Sequence, residues 1–199
     1  RRTAAELGEP VGVDPAVDEL VFYPLLYWPL SADQSPPGAR AVSNLNDYLR
    51  NGGTIVFDTR DGGDGSGTTS AGGAAVLRHL GRELEMPPLE VMAADHVLGR
   101  AYYLMDEFPG RWRGHPLWVE RPGERINDGV SSIIVGAHDW AAAWAMDELQ
   151  RPLFAVVPGG ERQREWAYRF GINLVMYTLT GNYKADQVHL PAILRRLGK

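Results

Sequence analysis

The chain reads as one layered α/β domain built on a mostly parallel sheet. Three observations predict this. Strand and helix signals alternate along the 199 residues. The first strand signal is a continuous apolar run, as in a strand buried on both faces. No repeat, low-complexity linker or composition shift divides the chain, so residues 1–199 form a single unit.

Each element follows from local chemistry. Residues 1–18 are polar and carry Pro10 and Pro15, which suits the end of a helix and then a loop. The run ELVFYPLLYWPL (19–30) is a strand, with Pro24 and Pro29 expected at its end or just beyond. SPPG (35–38) turns the chain into a helix over 39–50, where Val42, Leu45 and Leu49 recur at helical spacing. Asn51-Gly52-Gly53 ends that helix, and TIVF (54–57) is a short strand. A glycine-rich stretch follows from Asp58 to Gly73, too long for a plain connector.

A helix is expected over 74–82, then a break at Pro87-Pro88 and a strand over 89–92. Residues 94–116 look irregular, and 117–120 and 131–135 read as strands. A helix over 140–149 is expected to be N-capped by the Asp139 carboxylate. One more short strand is expected over 152–157. The longest helix covers 161–179, with Trp166, Phe170, Leu174 and Tyr177 on one face, and Gly181 stops it. A last helix spans 191–197.

Composition removes several functions. With 44% apolar and 23% charged residues the chain can fill a core. A net charge of −5 argues against nucleic acid as a partner, which needs a basic face. The absence of cysteine excludes disulfides, thiolate metal sites, iron–sulfur clusters and a thiol nucleophile. No stretch approaches the roughly 20 apolar residues of a membrane span. There is no G-x-S-x-G elbow, no phosphate-binding lysine loop and no H-E-x-x-H zinc motif, and no cofactor or metal is expected. The chain opens at Arg1 without an initiator methionine.

In open α/β sheets, ligands gather at the carboxyl ends of strands. Asp58, Arg60 and Asp61 follow TIVF, and His138, Asp139 and Trp140 follow SSIIV (131–135). Two carboxylates and a guanidinium at one strand exit can hold a polar ligand or do acid–base work; an Asp58–Arg60 ion pair ordering the loop is the structural alternative. His96 beside Asp95 is a weak acid–base signal. These seven residues (58, 60, 61, 96, 138, 139, 140) are the candidate ligand cleft. Asn182, Lys184, Asp186 and His189 are a candidate partner surface. Exposed aromatics at Tyr27, Trp28, Trp112 and Trp118 would make an interaction face.

PLLYWPL (24–30), YLRNGGTIVFDTRD (48–61), HDWAAAWAMDE (138–148) and YRFGINLVMYTLTGNYKADQVHLPAILRRLG (168–198) together resemble a bacterial family known as domain of unknown function 4159, in its proteobacterial branch. The resemblance implies a three-layer fold like flavodoxin and the class I glutamine amidotransferases. It also implies that residues 1–199 are the C-terminal domain of a longer, membrane-anchored protein of the cell envelope, that the domain itself is soluble, and that its first strand lies upstream. The family carries no established catalytic residues. Where amidotransferases place a cysteine after a strand, this chain has Phe57-Asp58-Thr59-Arg60, so thiol-dependent chemistry is excluded. The expectation is a non-catalytic domain that binds a small polar ligand or a protein partner. The alternative is a hydrolase acting on a carbohydrate or other polar substrate through Asp58, Asp61 and His96.

Overall fold

A computed structural model describes residues 9–63, 72–121, 123 and 129–197, with side chains through residue 181. Five strands form one open sheet in the order β1-β2-β5-β4-β3. They are β1 (Leu25–Pro29), β2 (Thr54–Asp58), β3 (Leu89–Val91), β4 (Trp118–Glu120) and β5 (Ile133–Gly136). β1, β2 and β5 are parallel neighbours, whereas β4 runs antiparallel to both β5 and β3. The sheet is therefore mixed, and parallel pairing is confined to the half that contains β2. The other half pairs antiparallel, which needs no helical crossover, and among the described residues no α-helix lies between β3 and β5.

The helices are α1 (Ala39–Arg50), α2 (Gly73–Leu80), α3 (Trp140–Trp144) and α4 (Gly160–Leu197). Alternation along each parallel strand sorts the core into two clusters. Leu26, Ile55, Phe57, Ile133 and Val135 meet Leu45, Leu49 and Leu80 of α1 and α2. Val56 and Ile134 meet Trp140, Phe170, Leu174 and Tyr177 of α3 and α4. Helices thus cover both faces of the sheet, and each buried Leu, Ile or Phe contributes about 1.5–3 kcal/mol by leaving water.

Several expectations change. The apolar run over 19–30 is broken, because Leu20–Phe22 forms a 3-10 turn before Pro24 and the strand begins at Leu25. Pro29 is the last residue of β1, at the strand's end as expected. It is tolerated because β1 is an edge strand. Pro24 O accepts from Thr54 N and Leu30 N donates to Asp58 O, so residues 24, 26, 28 and 30 face β2 and the missing N–H of Pro29 faces outward.

The helix expected over 140–149 stops at Trp144, with Ala145 extended. Asp147 diverts the chain there: its carboxylate accepts from the amides of Leu149 and Arg151 and closes a turn. No strand forms over 152–157, where Pro152 makes only an isolated bridge to Met146. The long helix is interrupted at Gly181, φ 34° and ψ −120°, as expected, but backbone helix resumes directly after it and runs to Leu197. The side chains of Asn182, Lys184, Asp186 and His189 lie outside the described residues. Among the described residues no helix is long and apolar enough to cross a membrane.

Candidate functional site

The parallel strands β2 and β5 end side by side, with Asp58 opposite Gly136. Strand alternation points the Asp58 side chain toward the α3 and α4 face, the side on which Val56 also packs. Its carboxylate is fully buried, at 0% exposure. Four donors surround it. Tyr27 Oη donates to Oδ2 at 2.6 Å and the Trp140 amide at 2.8 Å. The Asp139 and Arg60 amides donate to Oδ1 at 3.1 and 3.2 Å. Tyr27 Oη in turn accepts from the Ala141 amide at 3.1 Å.

This arrangement revises the capping of α3. Asp139 occupies the N-cap position but makes no side-chain cap, and its φ of 53° is left-handed. The orphan amides of the first turn go instead to Asp58, from another strand, and to Tyr27 Oη. Asp139 is held by Arg111, whose Nη1 lies 3.5 Å from Oδ2. Arg60, also left-handed at φ 58°, turns its guanidinium away from Asp58 to donate twice to Leu30 O. No Asp58–Arg60 side-chain ion pair orders the loop. The contact between them is the Arg60 amide.

Burial pushes the Asp58 carboxyl above its ordinary range, with its hydrogen-bond donors pulling the other way. Burial, and then the Asp58 charge, raise the Tyr27 phenol well above its usual value, so the phenolic proton stays on Tyr27. The surroundings of Asp58 consist of donors. They suit an acceptor, and they leave no free lone pair for a substrate.

Asp61 caps α2 from outside, its Oδ2 accepting from the Ala74 amide at 2.7 Å. Its Oδ1 is buried without a hydrogen-bond partner among the described residues. His138 is 1% exposed and stacks on Trp140, ring centroids 4.5 Å apart. Its Nδ1 accepts from the Ala137 amide and its Nε2 donates to His115 O, which fixes a neutral tautomer. Burial lowers its pKa to about 4. Trp140 is core: it is fully buried, lies against Phe170 and donates to Phe108 O.

Six of the seven candidate cleft residues therefore converge on the exits of β2 and β5. His96 does not. It caps the turn Val97–Arg100 through Nδ1 and lies 5.7 Å from the ring of Tyr177. Tyr177 bonds to Ser131 and Gly129, ahead of β5, so His96 sits at the amino end of the strand whose carboxyl end neighbours Asp58. The aromatics do not form one face either. Tyr27 and Trp28 point to opposite sides of β1, and Trp118 lies on β4 at 39% exposure.

Sequence reading missed two participants. His115 reaches the β2 exit from an irregular loop, its Nε2 donating to Gly62 O at 2.9 Å. Gly62 permits this approach, since a Cβ there would strike Ala137 O and the His115 ring. Tyr27 stood inside an apolar strand run, where nothing marks a phenol as the partner of a carboxylate 31 residues away. Among the described residues no group of three His, Cys, Asp or Glu side chains gathers to hold a metal.

The model of the family described as domain of unknown function (DUF4159) matches residues 1–179. The chain belongs to this DUF4159 family. No curated protein matches it.

Proposed function

We propose that this DUF4159 domain is a non-catalytic binding domain, carried by a membrane-anchored bacterial protein of the cell envelope, that takes a small polar ligand or a partner at the exits of β2 and β5. One observation carries the reading. The acid best placed for chemistry, Asp58, is wholly buried and already accepts four hydrogen bonds. A general base must reach a substrate proton, and a nucleophile needs a free lone pair. Asp58 offers neither. The groups left to meet a ligand are Asp61, the surface residue His115 and the Arg111–Asp139 pair. The hydrolase alternative gains no support, since His96 lies at the other end of β5 from Asp58 and Asp61.

The finer fold reading is that of the amidotransferase-like, flavodoxin-like layered domains in the proteobacterial branch, with one further strand beside β1. A slot of about 800 Å³ supports it, running along the outer edge of β1. Leu45 and Val13 wall one side, Val175 and Leu179 the other. The slot has the shape of a strand position between two helical layers.

The test is a thermal-unfolding screen of the wild type, Asp61→Asn and His115→Gln against sugars, nucleotides, amino acids and divalent metals. A ligand at 100 times its Kd adds about 2.7 kcal/mol of stability. The reading predicts at least one compound that stabilises the wild type, stabilises the variants less, and is recovered unchanged. Chemical conversion of the bound compound would refute it.

A further inference from the structure

We propose that residues 112–115 form a strap over the exits of β2 and β5 that acid releases through protonation of His138. Three bonds tie the strap to the strand exits, and Arg113 pairs separately with Glu107. The Trp112 amide donates to His138 O at 3.0 Å, His138 Nε2 donates to His115 O at 3.1 Å, and His115 Nε2 donates to Gly62 O. Gly110 passes so close beneath His138 that a Cβ would meet its carbonyl.

Both ring nitrogens of His138 are therefore committed, and only the neutral Nε2–H tautomer satisfies them. A proton arriving at Nδ1 confronts the Ala137 N–H already directed at that atom. No acid is placed to welcome the charge. From the strap, His138 meets His115, ring centroids 5.9 Å apart. From its own turn it has Asp139, which is paired with Arg111. From the β2 exit come Asp58, surrounded by four donors, and Asp61, bonded to α2. From α3 and α4 it meets Trp140 backed by Phe170. The imidazolium is stable only where water can reach it, and burial accordingly holds the folded pKa near 4.

The other end of the loop has anchors that do not titrate. Gln163 Nε2 donates to Gly110 O and Arg111 O, and the Val157 amide donates to Arg111 O. Residues 110 and 111 stay fixed to α4 while 112–115 lift. Lifting uncovers Gly62 and the Asp61 side of the strand exit, the region where open α/β sheets receive ligands. The strap stands whether or not a ligand binds there.

The test is hydrogen exchange of the Trp112 amide from pH 7 to pH 4, corrected for intrinsic exchange, in the wild type, His115→Gln and His138→Gln. Protection of Trp112 should fall about tenfold per pH unit below the ordinary histidine pKa. The Leu26 and Trp28 amides inside the sheet should stay protected throughout. His115→Gln should keep the fall, and His138→Gln should abolish it. If His138→Gln does not fold, the ring titration of His138 in the wild type by NMR takes its place: the ring must titrate well below the ordinary histidine pKa, and the fall in Trp112 protection must level off where it does. Flat protection in the wild type, dependence on His115, or simultaneous loss across the sheet would each overturn the strap.

Discussion

Burial sets the acid–base state of His138 and of Asp58, and the two respond to pH in opposite senses. His138 is held near 4 in the fold, against an ordinary value of 6.5. Its contribution is fully present above 6.5, where both states are neutral. It is lost as pH falls from 6.5 toward 4, because the unfolded chain takes up the proton first. That shift corresponds to about 3 kcal/mol. Asp58 is held above its ordinary value, so the folded state protonates first and gains stability as pH falls through its folded pKa. Comparing wild type with His138→Gln cancels the Asp58 term. Denaturant midpoints at pH 7 and pH 4 should fall further in the wild type than in the variant. Equal falls would contradict the assigned state of His138.

At the scale of elements, β1 stands at the sheet margin, with only one edge paired among the described residues. Its register turns Leu26 and Trp28 toward β2 and Leu25 and Tyr27 outward. Amide exchange should therefore alternate along the strand: slow at 26 and 28, fast at 25 and 27. Protection at all four would mean that another strand already occupies the slot.

Much of this was legible in the residues. The run Val42–Leu45–Leu49 gave α1 its buried face, TIVF gave β2, and the glycine pair after Asn51 ended the helix between them. What escaped was governed by distant partners. Capping of α3 could not be read from Asp139, because its amides are satisfied by Asp58 from 82 residues away. Asp147 shortened α3 by a local turn that competes with helix, a choice helical periodicity does not register. The cleft residues at 58–61 and 138–140 were found by their place after strands. His96 followed the same rule and fell elsewhere, since the segment carrying it caps a short turn beside α4.

For the molecule as a whole, the tie from Tyr27 through Asp58 to Trp140 and Ala141 joins β1, β2 and α3 at one buried carboxylate. Such a group serves cohesion, whereas catalytic acids are commonly held at some cost to stability and their removal often stabilises the fold. The sign of one stability change separates the two roles. Asp58→Asn keeps the shape but replaces one acceptor oxygen by a donor, facing amides and a phenol that also donate. Measured by urea unfolding at pH 7, it should cost about 2–4 kcal/mol with the m-value unchanged. A variant as stable as the wild type, or more stable, would contradict the structural role of Asp58 and return it to the list of working acids.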